Sequence, residues 1–195
     1  MLRFAPLISL IALLIATLLR ARSVRSNSGA SAWAFAGATG RQRLSGIALA
    51  AAFAPIVLAA TASALNPRAI TWGVQFGAAL AAAGATLAIA AQLHLGNAWR
   101  VGVRSEDAPL FIRTGLYRYN RNPIFLGMLI MVLGVSLASG AWWSWAASVL
   151  LTLATRTQIG IEERRLRSAF GKDYAQFSQQ VPRWLFFADR RKDRQ

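Results

Sequence analysis

The residues best suited to chemistry lie in three polar stretches of the C-terminal half, at positions 105–112, 114–123 and 161–163. The last stretch contains two adjacent carboxylates, Glu162 and Glu163. The chain has no cysteine, which excludes disulfides, thiolate catalysis and cysteine-ligated metals. Its one histidine, His94, excludes a site built from several histidines. We therefore predict no metal centre.

The middle stretch ends in a pattern typical of a helix start. Asn122 suits the N-cap position, and Pro123 suits the first helical turn. A helix N-terminus carries partial positive charge and free N–H groups, so it favours a ligand carboxylate or phosphate, particularly beside Arg118 and Arg121. The alternative is that these arginines only anchor the helix at a membrane surface.

The acidic pair has two interpretations as well. Adjacent carboxylates repel each other, so their presence indicates either a ligand contact or local neutralisation. The second interpretation rests on three arginines that follow directly, Arg164, Arg165 and Arg167.

These stretches must be positioned by elements within a lipid bilayer. Of the 195 residues, 55% are hydrophobic and only 15% are charged, whereas soluble domains carry nearer a quarter charged residues. The net charge is +15, and the basic residues border the apolar runs. That placement indicates contact with anionic lipid headgroups and membrane topology, and not nucleic acid.

The apolar runs predict an all-α integral membrane protein with about five transmembrane helices and a cytoplasmic C-terminal helical segment that completes a pocket. A polar loop is predicted at 20–43, and turns at Asn66-Pro67 and Ser139-Gly140. The first run predicts a retained helix; a signal peptide is the alternative. Small residues at Gly73, Gly77 and Ala81 permit close helix approach. The predicted spans are 4–19, 44–65, 70–95, 123–137 and 141–154.

Beyond the last span, the pattern predicts a helix at 158–170, a stop at Gly171, and a second helix that ends at Pro182. That second helix places Tyr174, Phe177 and Val181 on one face. Residues 184–187 are predicted to be an interfacial anchor, followed by a basic tail. With the N-terminus outside, only Arg3 and Arg68 of the 22 basic residues lie outside, so the acidic residues and the site face the cytoplasm.

The order of short motifs resembles one family, the isoprenylcysteine carboxyl methyltransferases, which are in turn similar to the phospholipid N-methyltransferases. The resemblance covers about residues 94–184. Its motifs are Thr114-Gly-x-Tyr117, Arg121-Asn-Pro-Ile-Phe-x-Gly127, a hydrophobic hairpin, Glu162-Glu163, Phe170-Gly171-x-x-Tyr174 and Val181-Pro182.

The resemblance implies an S-adenosylmethionine site built without a nucleotide-binding sheet. It divides the chain into an N-terminal region of three spans, 1–95, and a methyltransferase-like catalytic region, 96–195. Glu162 is implied as the acid that contacts the cofactor, and Gln158 occupies the position of a substrate-contacting arginine in relatives. The other implied cofactor residues are Pro109, Leu110, Phe111, Ile112, Tyr117, Asn122, Pro123, Ile124 and Phe125.

Two departures from the family pattern bear on the chemistry. Asn122 stands where relatives have histidine, so that position cannot titrate. Gln158 replaces an arginine that binds the substrate carboxylate in relatives, although Arg156 is close by. We therefore expect methyl transfer to a neutral or weakly acidic lipophilic acceptor that enters from the bilayer, in a bacterial inner membrane. The catalytic residues themselves are not identified by the sequence.

Two other classes remain open. One is an NADPH-dependent membrane sterol or enone reductase, whose C-terminal region resembles this one around its Arg-His-Pro-x-Tyr turn. The paired carboxylates Glu162 and Glu163 disfavour it, because they oppose binding of a 2′-phosphate. The other is a non-catalytic membrane protein of the same fold.

Overall fold

The computed structural model of the chain describes residues 2–28, 40–65, 71–96, 99 and 111–184. The regular elements in these ranges are helices. Two are short 3-10 helices, Leu2–Phe4 and Gly115–Arg118. The five long helices are α1 (Ala5–Ser28), α2 (Gly40–Leu65), α3 (Trp72–Leu95), α4 (Pro123–Ser139) and α5 (Trp142–Gln180). The Asn66-Pro67 turn, Pro109, Leu110 and the basic tail lie outside the described residues, as does most of the predicted anchor.

The helices fit an integral membrane protein, as predicted. Three segments in the described ranges, Leu2–Asn27, Gly40–Leu65 and Trp72–Leu95, are long and apolar enough to cross a bilayer. α4 is also apolar but has only 17 residues, near the lower limit for a span. α5 begins apolar and continues into polar sequence. The predicted number of five spans stays a prediction.

Two predicted boundaries were wrong, for related reasons. The predicted loop 20–43 is helical at both ends, because α1 continues to Ser28 and α2 begins at Gly40. The predicted break between the last span and the following helix does not exist, since α5 runs through it. Apolar run length follows bilayer thickness, whereas a helix ends only where the backbone conformation changes. Arginine is a good helix former, so helices continue past the apolar segment.

The predicted stop at Gly171 is confirmed as a change of backbone conformation, with φ of +47° and ψ of −118°. The helical hydrogen bonding resumes after it, and α5 ends at Gln180, before Pro182. Tyr174, Phe177 and Val181 share one buried face after this break, as predicted. Gly171 therefore redirects the last part of α5 so that its aromatic face can pack.

The contact between α3 and α4 brings the two backbones together. A methyl group on Gly84 would lie 2.3 Å from the Met131 amide nitrogen. Gly134 and Gly127 of α4 are equally tight against α3, where a methyl group would lie 2.4 Å from the Ala81 nitrogen and 2.5 Å from the Ala88 nitrogen. The predicted close approach is confirmed at Gly77, where a methyl group would lie 2.6 Å from the Ala138 nitrogen, and at Ala81. At Gly73 an added methyl would be in ordinary contact, 3.5 Å from the Leu137 carbonyl oxygen.

The other helices surround this pair. Buried side chains from all five long helices form one apolar cluster, which includes Leu10 and Leu13 of α1. Hydroxyl groups add polar contacts between helices: Ser136 and Ser148 lie 2.9 Å apart (Oγ to Oγ) across the α4–α5 hairpin. The hairpin turns at Gly140, which has φ of +63°, as the Ser139-Gly140 break predicted.

The α3–α4 contact yields a test of packing. Gly84→Ala is expected to destabilise the protein by about 1–3 kcal/mol, the usual cost of overpacking, because the added methyl meets backbone atoms that cannot rotate away. The matched control is Gly160→Ala in α5, where the nearest atom is a flexible arginine nitrogen at 3.6 Å. This control should be neutral or stabilising by up to about 1 kcal/mol. Thermal unfolding in detergent measures both, and equal effects would contradict the backbone contact.

Candidate functional site

The turn that precedes α4 is fixed by a close contact with the end of α3. Gly115 has φ of +59°, a conformation that L side chains rarely adopt. A side chain there would also collide with His94, whose Cδ2 would lie 2.2 Å from the added carbon. Glycine at position 115 is therefore required both by the backbone conformation and by the histidine that packs on it.

Tyr117 follows in the short 3-10 helix and points into the protein. Its side chain is buried, and its hydroxyl donates to the Ala91 carbonyl oxygen of α3 at 3.5 Å. Burial raises the pKa of Tyr117, and the nearby negative charge of Glu162 raises it further. Tyr117 is thus a neutral hydrogen-bond donor beside the first carboxylate of the acidic pair.

The next residues form a polar turn at the N-terminus of α4. Asn122 occupies the N-cap position, but its side chain does not cap the helix, contrary to the sequence prediction. Instead, the Asn120 side-chain oxygen accepts a hydrogen bond from the Asn122 backbone nitrogen at 2.6 Å. Asparagine side chains readily hydrogen-bond to the backbone two residues later in the chain. The Asn122 side chain is thereby left for another partner.

Glu162 faces this turn from α5. Gln158, one helical turn earlier, donates from Nε2 to Glu162 Oε1 at 3.0 Å, which confirms that the two side chains share a helix face. Burial raises the pKa of Glu162 to about 7; the Gln158 hydrogen bond opposes the increase, and Glu163 adds to it. Glu162 therefore changes charge near neutral pH.

Glu163 makes entirely different contacts. Arg183 donates to its carboxylate through both Nε and Nη2, with an Nε–Oε1 distance of 3.0 Å. Arg121 Nη1 lies 3.4 Å from Glu163 Oε1, and both of these side chains are more than nine-tenths buried. The ion pairs of Glu163 are thus made by arginines distant in sequence, not by the three arginines that follow it.

This ion-pair cluster connects three segments of the chain. Arg121 lies in the turn before α4, Glu163 lies in α5, and Arg183 follows the end of α5. The Arg121 backbone nitrogen also donates to the Pro182 carbonyl oxygen at 3.1 Å. The chain after α5 is therefore held against the turn by one backbone bond and by charged contacts.

An aromatic cluster lies beside the ion pairs. The Phe111 ring centroid is 4.9 Å from that of Phe177, 5.3 Å from that of Phe170 and 5.4 Å from that of Tyr174. The Arg113 guanidinium stacks 4.2 Å above the Phe111 ring centroid. The polar stretch that begins at Phe111 thus returns to pack on the last part of α5.

The structure brings together only part of the set that the resemblance implied. Tyr117, Glu162 and Gln158 lie at one place, and the buried Asn122 and Pro123 adjoin them through the turn. Phe111 belongs to the aromatic cluster, and Ile124 packs towards α1 against Ala21, Val24 and Trp99. Ile112 and Phe125 are half-buried, and Pro109 and Leu110 lie outside the described residues.

Two residues of this region were missed from the sequence. Asn120 is only 2% exposed and orders the turn, and Arg183 completes the ion pairs of Glu163. The two asparagines that flank Arg121 before a proline were a usable signal for an asparagine turn. Nothing in the local sequence around Arg183 distinguished it from the basic tail that follows.

The unpartnered atoms of this region fit an amino-acid-like ligand. Within the described part of the chain, four buried atoms here have no hydrogen-bond partner: the donors Asn120 Nδ2, Asn122 Nδ2 and Arg121 Nε, and the acceptor Gln158 Oε1. Buried polar groups ordinarily have partners, so a cluster of four requires an explanation. The donors suit a carboxylate, whereas Gln158 and Glu162 suit ammonium or hydroxyl groups. S-adenosylmethionine carries all three groups.

Fold and site define an all-helical integral membrane protein with a polar site near the end of α3 and the start of α4, against the middle of α5. A family model described as phospholipid methyltransferase matches residues 72–173, which is more than half of the chain. The protein belongs to this family of membrane methyltransferases, to which the isoprenylcysteine methyltransferases also belong. Separate searches of curated proteins and of solved structures found no match.

The ion-pair cluster yields a stability test. Glu163→Gln is expected to destabilise the protein by about 3 kcal/mol, because it leaves the buried Arg121 without its counter-charge. The control is Asp173→Asn, which removes an exposed pair with Arg113 at 3.7 Å. Exposed pairs contribute about 1 kcal/mol or less. The measurement is thermal unfolding in detergent, and a Glu163→Gln effect no larger than that of the control would show that the cluster is not structural.

Proposed function

We propose that the protein is an S-adenosylmethionine-dependent methyltransferase that acts on a lipophilic acceptor. The observation that carries the proposal is the cluster of unpartnered donors at the start of α4, opposite the Gln158–Glu162 pair. Membership of a methyltransferase family supports the reaction class. The cofactor is the one that the family resemblance implies, and the unpartnered groups fit it. The lipophilic acceptor is inferred from the neutral Gln158 and the membrane setting.

Each group of the site has a role in holding the cofactor. The N–H groups of Asn120 and Asn122 and the Arg121 guanidinium would bind the methionine carboxylate. Glu162 would accept hydrogen bonds from ribose hydroxyls, which favours its ionised form. Bound S-adenosylmethionine supplies an electrophilic methyl group on a sulfonium. The residues contribute mainly by fixing its direction in a site that excludes water.

A second feature supports a lipophilic acceptor. A groove of about 480 Å³ lies between α2 and α5. It is mostly apolar, and its α5 side ends at Thr157, directly before Gln158 in the chain. It is lined by Arg41, Leu44, Ser45, Ala48, Leu150, Leu153, Ala154 and Thr157. In a bilayer such a groove would admit a hydrocarbon chain sideways, with its reactive group carried towards the polar end of α5.

The proposed location is a bacterial inner membrane, with the site facing the cytoplasm. This orientation rests on the distribution of basic residues, of which only Arg3 and Arg68 would lie outside. It places the site on the side where soluble S-adenosylmethionine is available.

The proposal predicts how the cofactor site depends on Glu162 and on pH. Glu162→Gln should weaken binding of S-adenosylhomocysteine by on the order of 1–3 kcal/mol, the scale of a charged hydrogen-bond partner. Because burial raises the pKa of Glu162 to about 7 and binding requires the carboxylate, wild-type affinity should fall as the pH decreases from 8 to 6. The variant should show a flat profile over this range, as measured by isothermal titration.

The same titration separates the competing classes. NADPH is the matched ligand control, and it should not bind. Binding of NADPH without S-adenosylhomocysteine would favour the reductase class, and binding of neither would favour a non-catalytic protein. Unchanged affinity in Glu162→Gln would contradict the site as proposed.

The orientation is tested by cysteine labelling, which is clean because the native chain has no cysteine. In intact cells an impermeant maleimide should label Asn66→Cys but not Gln195→Cys, and Gln195→Cys should react only after permeabilisation. Labelling of Gln195→Cys in intact cells would reverse the topology.

The acceptor is tested by methyl transfer in nanodiscs with labelled cofactor. Gln158 is neutral and only 1% exposed, so it cannot provide the charged contact that a free carboxylate needs. We expect wild type to methylate a lipophilic amine, thiol or phenol from a lipid extract, and to be inactive on acetyl-farnesylcysteine. Gln158→Arg should gain activity on the latter. Robust methylation of acetyl-farnesylcysteine by the wild type would contradict this expectation, even if Arg156 rather than Gln158 bound its carboxylate.

A further inference from the structure

A second polar cluster lies between α1 and α3, outside the site described above. Gln92 of α3 is only 4% exposed, and its Nε2 donates to Thr17 Oγ1 of α1 at 3.1 Å. Arg20, three residues after Thr17, lies on the same side of α1 and approaches the end of α3. Its Nη2 lies 3.6 Å from the position that a Cβ on Gly96 would occupy.

Two buried atoms of this cluster have no hydrogen-bond partner among the residues that the structure describes. They are the Arg20 Nε, which is a donor, and the Gln92 Oε1, which is an acceptor. Polar groups removed from water are ordinarily paired, and leaving them unpaired costs free energy. The cluster therefore presents complementary hydrogen-bonding groups to a third partner.

The charge of Arg20 is also uncompensated by the residues that the structure describes. The carboxylates described there are Glu162, Glu163 and Asp173, and their bonds and ion pairs go to other residues. A half-buried guanidinium without a counter-charge favours an oxyanion, which it can bind through several N–H groups.

The position of the cluster indicates where that oxyanion comes from. Arg20 directly follows the apolar run 4–19 of α1, so it lies where a membrane helix meets the headgroup layer. Phospholipid phosphates are concentrated there. An apolar wall formed by Ala21, Val24 and Trp99 adjoins the same segment of α1.

We propose that Arg20 and Gln92 form a phosphate-binding site for a phospholipid headgroup. Arg20 binds the phosphate oxygens, and Gln92 Oε1 accepts a hydrogen bond from an N–H or O–H of the same headgroup. This predicts preference for headgroups that carry such a donor, such as ethanolamine or glycerol, over choline, which has none. The site is independent of the cofactor site and of the proposed methyl transfer.

The test is lipid binding by native mass spectrometry on the delipidated full chain in detergent. The lipids compared are phosphatidylglycerol, phosphatidylethanolamine and phosphatidylcholine, and inorganic phosphate is a separate arm. Wild type should retain the first two lipids more strongly than phosphatidylcholine. Arg20→Gln should weaken both by about ten-fold or more, the effect of losing a charge-assisted contact. Gln92→Met should remove the preference for phosphatidylglycerol and phosphatidylethanolamine over phosphatidylcholine. It should keep the lipid binding that depends on the phosphate group.

The matched control is Arg22→Gln. Arg22 is an exposed arginine of the same helix and lies about 200° around it from Arg20. The Arg22→Gln substitution should leave lipid binding unchanged. Equal binding of all three lipids to wild type and Arg20→Gln would overturn the proposal, as would an equal loss in Arg22→Gln. If inorganic phosphate saturates the Arg20–Gln92 site and prevents the lipids from binding, the site binds an oxyanion, but the proposal that a phospholipid supplies it is overturned. S-adenosylhomocysteine affinity should be the same in wild type and all three variants, which separates failure here from failure of the methyltransferase proposal.

Discussion

The backbone contact between α3 and α4 is the constraint on which the site depends. Lipid tails are as apolar as leucine side chains, so helices in a bilayer gain little by burying apolar area and instead gain from close packing. Gly84, Gly127 and Gly134 remove the side chains that would hold the two helices apart. α3 ends at Leu95 and α4 begins at Pro123, and the turn that carries Tyr117 lies at these two ends. Because His94 packs on Gly115, the position of this turn follows from the helix contact.

The two adjacent glutamates show how a helix separates structural and chemical roles. Consecutive residues point about 100° apart, so Glu163 reaches Arg121 and Arg183, whereas Glu162 reaches only the neutral Gln158. Two cations keep Glu163 in place as a structural anion. Glu162 has no cationic partner among the described residues, so burial raises its pKa to about 7. The repulsion that made the pair unusual in sequence contributes to the increase in the pKa of Glu162.

The sequence predicted the helices well and their ends and contacts less well. Apolar run length reports bilayer thickness, so the positions of α2 and α3 were right to within a few residues. The length of an apolar run contains no information on where a helix ends outside the bilayer. The continuation of α1 past the apolar run and the continuity of α5 were therefore missed. The Asn122 side chain does not cap α4, and Asn120 instead orders the preceding turn by accepting from the Asn122 backbone nitrogen. Either asparagine satisfies the same local pattern, and only the folded turn selects one. The pairing of Glu163 with Arg183 depends on the chain direction after Gly171, which no local pattern determines.

Helix α1 lies outside the family-matched region but packs against it. The match begins at residue 72, so α1 lies outside it, yet Leu10 and Leu13 of α1 belong to the common apolar core. Ile124, in the first turn of α4, packs on the cluster that Ala21 and Val24 of α1 form with Trp99. The first turn of α4 therefore borders the candidate cofactor site through Asn122 and Pro123, and borders α1 through Ile124. A helix held on both sides in this way keeps its N-terminal N–H groups in a fixed direction, which is the property that a site built on a helix N-terminus requires.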